Sequence, residues 1–364
     1  MPDRDLQIMT DGRRVVAQCP GGATGDAAFA LTGLDREVVD VLTGLVADKR
    51  VRRRAELAAL GGLLARALLP GDAGLVLRGE VDRLGVGERL RIELTFRGDG
   101  LGLAALPWEF LHLGGDGGPG RGFLATDERL VLARTLPTRT DRREVDLGDR
   151  RIRLLAILSQ PPDLGPVLVD QVLETLEELA PALGLDVLPL RQPTIDAVAT
   201  AVRDHPPDVV HFIGHGRFAD GAGELALVAD GGTAARWASD EVLGAVFRVR
   251  PPAVVVAQAC DGARVDLGAA FSGVAPKLAW MGAGAVVAMQ YPIENGAAIR
   301  FSRAFYGALR DLAPVDVAVQ GARREMALDD ASGVRDFGIP VLYMAARGGF
   351  RFGGGHAAAA GGDG

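Results

Sequence analysis

From residue 151 onward one pattern recurs: a short apolar run rich in β-branched residues, followed by a helix-like amphipathic stretch. The runs are IRLLAIL at 152–158, LDVLPL at 185–190, DVVHFI at 208–213, AVVVAQA at 253–259 and AVVAMQ at 285–290. Each has the length of a strand buried on both faces, and most are separated by stretches with apolar residues every three or four positions, as at 166–181 and 194–203. Strands that alternate with helices predict an α/β fold, a mostly parallel sheet flanked by helices. ELALVA at 224–229 predicts a short strand or hairpin arm. Two helices follow at about 295–311 and 315–328, and then a last strand near 339–344.

The first 136 residues have a different texture. LQIM and VVAQC, separated by a turn at Asp11-Gly12, predict a strand pair, and 35–68 predicts two helices. ERLRIELTF at 88–96 alternates, so Leu90, Ile92, Leu94 and Phe96 share one face of a half-buried strand. A glycine-rich loop spans 114–122. We therefore expect an N-terminal α+β region at 1–136 packed on the sheet, a polar linker at 137–150, a main domain at 151–350 and a low-complexity, disordered tail at 351–364.

Composition narrows the function. The chain of 364 residues carries a net charge of −7, without the basic excess that nucleic-acid binding requires. No segment approaches the ~20 apolar residues of a membrane helix, and the start lacks a secretory signal. A cytoplasmic protein that binds neither nucleic acid nor membrane is expected. The two cysteines, Cys19 and Cys260, form no Cys-x-x-Cys, so no metal site is expected. Gly282-Ala283-Gly284 precedes a strand instead of following one, and neither a P-loop nor Gly-x-Ser-x-Gly occurs.

In open parallel sheets chemistry gathers beyond the carboxyl ends of the strands. Gly214-His215-Gly216 follows DVVHFI, and Cys260-Asp261-Gly262 follows AVVVAQA. A lone cysteine at a strand end is usually core. A cysteine and a histidine at the same sheet edge instead suit a thiol nucleophile and its base. The backbone N–H groups of Gly216 and Cys260 are natural oxyanion donors. The other candidates fit structural roles. His211 lies inside an apolar run and reads as a bonded core histidine, and His205, His112 and His356 form no cluster. Cys19 reads as a core or edge residue, and Trp108 as an anchor of the N-terminal region. Glu174, Glu177 and Glu178 read as a solvated helix face.

Gln258-Ala259-Cys260-Asp261-Gly262, with a histidine 45 residues upstream, is similar to the caspase signature. Leu106-Pro107-Trp108-Glu109-Phe110-Leu111, FLATDERLVLART, DVVHFIGHG, VVVAQACDG, MQYPIENGAAIRFSRAFYGAL, VDVAVQGARREM and IPVLYM follow in order. Together they resemble the CHAT domain, a caspase-like family related to caspases and separases, over 104–344, here as a bacterial stand-alone member. The resemblance implies a caspase-like catalytic domain at 151–350 and a cysteine endopeptidase with a Cys260–His215 dyad and no cofactor. It places a P1 pocket at Gln258, Tyr291, Glu294 and Asn295. It also implies a protein substrate, encoded by a neighbouring gene, and a protein activator. Two departures stand out. Gln290-Tyr291 replaces the family's Leu-Trp, and Asn295 takes its second acidic position, which favours a neutral P1 residue. The competing expectations are a catalytically silent CHAT-fold interaction or signalling module, and a nucleotide-binding protein.

Overall fold

The computed structural model describes residues 4–31, 33–114, 122–140, 144–167, 169–220, 222–259, 282–328, 333–346 and 349–353. Its strands are β1 (Arg4–Thr10), β2 (Arg14–Gln18), β3 (Thr24–Ala28), β4 (Leu90–Phe96), β5 (Leu130–Thr140), β6 (Glu144–Asp146), β7 (Ile152–Leu158) and β8 (Leu185–Arg191). They continue with β9 (Val209–Gly214), β10 (Gly216–Ala219), β11 (Ala222–Val228), β12 (Ala235–Ser239), β13 (Val254–Ala259), β14 (Ala285–Met289), β15 (Pro340–Ala346) and β16 (Arg351–Gly353). Eleven of them form one sheet in the order β3-β2-β1-β4-β5-β15-β14-β13-β9-β7-β8. Seven neighbouring pairs run parallel and three antiparallel. The α/β, mostly parallel architecture expected from the alternating runs is the one observed.

Strand alternation sorts the core into two layers. Leu154, Ala156, Leu158, Val254, Val256 and Val287 pack on one face with helices Val169–Leu183, Asn295–Arg310 and Val315–Leu328. Leu155, Ile157, Val210, Phe212, Val255 and Val286 pack on the other with helices Ile195–Asp204 and Asp240–Phe247. Local chemistry sets the helix ends. Thr194 and Ser239 accept hydrogen bonds from Ala197 N and Val242 N and so cap the two helices on the second face. Gly184, at φ +64°, turns the chain out of helix Val169–Leu183 into β8.

Several sequence expectations change. β4 is buried along its whole length, because its polar face is covered by helix Val315–Leu328. There the Arg91 guanidinium pairs with Asp316 and with Asp5, and Thr95 Oγ1 lies 2.7 Å from Thr135 Oγ1. Polar alternation marks internal ion pairs here, not a wet face. A third N-terminal helix, Gly71–Asp82, was not expected. The N-terminal region is continuous with the main sheet, because β5 pairs with β15 and β15 with β14. The expected linker contains β6, which pairs in parallel with β16 of the expected tail. The ladder satisfies backbone groups that an open linker would leave to water. Residues 354–364 of that tail, and 115–121 of the glycine-rich loop, lie outside the described residues. No single helix among the described residues is long and apolar enough to cross a membrane.

One buried charged cluster joins the N-terminal region to the sheet. The Glu109 carboxylate accepts from Arg134 Nε at 3.1 Å, and from Arg134 Nη2 and Gln290 Nε2. Arg134 Nη2 also donates to the Leu106 carbonyl at 3.1 Å. Gln290 Nε2 donates to the Gly338 carbonyl at 2.6 Å. Burial depresses the Arg323 guanidinium to about 10, and the neighbouring Arg134 charge adds to the effect. Removing the only carboxylate of this cluster among the described residues leaves the buried Arg134 and Arg323 guanidinium groups uncompensated. Glu109→Ala should therefore cost about 3–5 kcal/mol, read as a lower urea midpoint; a loss below about 1 kcal/mol contradicts this account of the cluster.

Candidate functional site

β9 and β13 are adjacent parallel strands in the middle of one half of the sheet. Their register pairs Val256 with His211, Gln258 with Ile213 and Ala259 with Gly214. The next residue on β9 is His215, and the next on β13 is Cys260. Parallel neighbours lie about 4.8 Å apart, so the two strands end side by side, and His215 and Cys260 are the residues that follow them in sequence. Cys260 itself lies outside the described residues.

His215 is 2% exposed. Its Nε2 lies 2.8 Å from the Gly165 carbonyl oxygen. A carbonyl only accepts, so Nε2 carries the proton and Nδ1 keeps its lone pair in the neutral ring. Burial lowers the imidazole's pKa, while the Gly165 hydrogen bond and the Asp163 charge oppose that fall. The loop that supplies Gly165 is itself tied down, because Asp163 Oδ1 accepts from Ala235 N at 2.7 Å. His215 is thereby a neutral base with a fixed tautomer, oriented by a backbone carbonyl. No side-chain pattern announces that carbonyl, and the sequence reading did not find it.

Gly214 is needed for close packing within the sheet. A Cβ there would stand 2.7 Å from the Ser159 carbonyl oxygen and 2.8 Å from Phe212 Cζ. The segment after His215 forms a sheet of its own, β10-β11-β12, in which β11 is the strand expected at 224–229.

A second histidine lies beneath the first. His211 is fully buried, as its place in an apolar run predicts. Its Nε2 lies 3.2 Å from Gln258 Oε1 and its Nδ1 3.0 Å from Tyr306 Oη. The amide oxygen accepts from Nε2–H, so Tyr306 donates to Nδ1. Burial holds this imidazole down to about 4. Gln258 is therefore turned toward His211, and it has no exposed surface.

The remaining expected pocket residues are dispersed. Tyr291 is buried, with the Arg335 guanidinium 5.9 Å from its ring centroid. Glu294 has 62% of its side chain exposed and lies 3.3 Å from Lys49 Nζ. The side chain of Asn295 lies outside the described residues. Gln290 belongs to the Glu109 cluster, which gives the Gln-Tyr departure from Leu-Trp a physical reason: a buried carboxylate requires a donor there. Cys19 is buried, and burial with help from Glu80 pushes its thiol up to about 11, so it is the inert cysteine. Trp108 is fully buried and donates from Nε1 to the Leu103 carbonyl at 2.8 Å, the anchoring role expected of it. Among the described residues no His, Cys, Asp and Glu side chains are grouped to hold a metal.

A large, mostly parallel sheet flanked by helices defines the α/β class to which this chain belongs. The family model of the CHAT domain matches residues 57–336, and the chain belongs to that family. No curated protein sequence matches it. Among solved structures it is similar to separase in the Saccharomyces cerevisiae separase–securin complex, at 12% identity and a TM-score of 0.38 over 92% of this chain. The chain spans 21% of that separase chain. Caspase-1 from Spodoptera frugiperda is 14% identical with a TM-score of 0.39, over 60% of this chain and 95% of that one. The Drosophila initiator caspase Dronc is 8% identical with a TM-score of 0.36, over 60% and 93%.

The His211 network has a pH signature. The unfolded chain takes up a proton near 6.5, the folded one only near 4. The stabilisation is full above pH 6.5 and is lost as pH falls toward 4, by about 3 kcal/mol. His211→Gln should remove that portion of the pH dependence, measured as urea stability of both proteins across this range. Parallel curves for the two proteins would contradict the assignment of a neutral buried imidazole.

Proposed function

We propose that this chain is a cysteine endopeptidase of the CHAT type, with Cys260 as nucleophile and His215 as general base and then acid. The observation that carries this is the β9–β13 register, in which Gly214 pairs with Ala259 and the next residues are His215 and Cys260. The tautomer of His215 supports it, since the lone pair on Nδ1 is free to take a thiol proton while Nε2 is held by Gly165.

The steps balance without a cofactor. The Cys260 sulfur attacks the scissile carbonyl carbon as its proton passes to His215. The carbonyl electron pair moves to oxygen, which accepts hydrogen bonds from the N–H groups of Gly216 and Cys260. Collapse breaks the C–N bond, and the leaving amine takes the proton from His215. Water, deprotonated by His215, then cleaves the thioester and restores the thiol. The substrate is a protein, encoded beside this chain, and a protein activator raises its low basal activity.

The environment of Glu294 supports a neutral P1 residue. A basic P1 side chain requires a carboxylate in its pocket, since an unpaired buried charge is costly. The only acid of segment 291–295 is turned to solvent beside Lys49.

Cys260→Ala and His215→Ala should each lower cleavage of a peptide library about as much as the double variant, because a dyad acts as a unit. All three should keep the wild-type melting temperature within a few degrees, and a chelator should not change the rate. Wild-type rates in Cys260→Ala would show the mechanism to be wrong. Arginine selected at P1 and lost in Glu294→Gln would overturn the neutral preference.

A further inference from the structure

Among the described residues, the strand that follows His215 has an open edge. β10 is an outer strand of the sheet β10-β11-β12 among the described residues. Its register with β11 pairs Gly216 with Leu225, Arg217 with Glu224, Phe218 with Gly223 and Ala219 with Ala222. One bond sets the phase of this ladder: Ala226 N donates to the His215 carbonyl at 2.9 Å. Bonded and non-bonded positions alternate along an antiparallel pair. His215 and Arg217 are therefore bonded positions, and Gly216 and Phe218 are not. The N–H and C=O groups of Gly216 and Phe218 point away from β11, off the edge of the sheet.

Gly216 is also buried, and no described residue pairs with its N–H. A buried backbone donor that no described residue satisfies calls for a partner, because leaving it unpaired costs free energy. Here it stands next to His215, where a ligand carbonyl would complete it. Arg217 adds no free charge to this edge. Its Nε donates to Glu224 at 2.6 Å, and its guanidinium lies 4.2 Å from the Trp237 ring centroid. What the edge offers is backbone hydrogen bonding, which selects an extended peptide over a particular side chain.

The direction of that peptide follows from the chemistry. His215 gives its proton to the leaving amine, so the chain beyond the scissile bond leaves on the His215 side of Cys260. In the order β14-β13-β9, the segment 290–295 lies on the opposite side of β13. We propose that the substrate residues after the scissile bond dock as an added parallel strand on the open edge of β10. This rests on the protease reading above. In the parallel register the Gly216 N–H donates to the P1 carbonyl, the Gly216 carbonyl accepts from the P2′ N–H, and the Phe218 N–H donates to the P2′ carbonyl.

The test uses three substrates carrying the P1 residue that a peptide library selects. One is a coumarin amide that ends at the scissile bond. The second is an internally quenched peptide that extends four residues beyond it. The third is the same quenched peptide methylated on the P2′ nitrogen. Methylation should lower wild-type kcat/KM about tenfold, the loss of one backbone hydrogen bond at the site. Phe218→Pro removes an N–H that the β10–β11 ladder does not use, and proline is tolerated on an edge strand. In that variant the ratio of kcat/KM for the quenched peptide to that for the coumarin amide should fall about tenfold. If the variant fails to fold, the methylated peptide with wild-type enzyme still decides the question. Equal cleavage of the two quenched peptides overturns strand docking; continued coumarin release then shows that the protease reading stands without it. Wild-type enzyme that cleaves none of the three overturns both.

Discussion

The buried pairing of Glu109 with Arg134 is the interaction on which the arrangement of the sheet depends. Arg134 belongs to β5, Glu109 to the Trp108–Phe110 turn, and Gln290 to the end of β14. Three chain segments far apart in sequence thus share one carboxylate. Arg323, on the helix beneath, has its Nη1 on the Leu132 carbonyl at 2.8 Å and its Nε on the Pro340 carbonyl at 3.0 Å. A buried carboxylate is tolerated only where donors surround it. The requirement for those donors holds β5 against β15 and fixes where the chain leaves β14, two strands from the histidine strand β9.

The candidate site inherits its precision from this sheet. Two parallel strands in register end at the paired residues Gly214 and Ala259, and His215 follows the first of them without help from a loop. The two histidines of β9 show how environment divides one residue type between roles. His211 gives both nitrogens to core partners and stays neutral through the physiological range. His215 gives one nitrogen to Gly165 and keeps the other available.

The parts of the fold legible in the sequence were those where one physical rule dominates. The apolar runs at 152–158, 253–259 and 285–290 bury both faces, and their composition declares it. The burial of both faces of β4 is hidden because Arg91 is compensated internally, and no local pattern distinguishes a charge paired with a distant Asp316 from one in water. Pairing of β6 with β16 was hidden for a related reason: three-residue strands are made by backbone groups and leave little trace in side-chain type. Near the candidate site, the strand that ends just before His215 is legible in the apolar run of β9. Gly165 was not, since any residue carries a carbonyl. The contact of Gln258 with His211 follows from strand parity, which places positions 256 and 258 of β13 on the face where Val256 pairs with His211.

The claim at the centre of this account is that Cys260 is the nucleophile and that its proton passes to His215, and its alkylation rate as a function of pH tests it most directly. Iodoacetamide labelling resolved by mass spectrometry reads Cys260 and Cys19 separately in one protein. The account predicts that Cys260 reacts with an inflection well below the ordinary thiol value of about 8.5, that His215→Ala moves this inflection up, and that Cys19, held near 11, stays unlabelled in the native state. A Cys260 that alkylates as an ordinary thiol, with the same profile in His215→Ala, would contradict it.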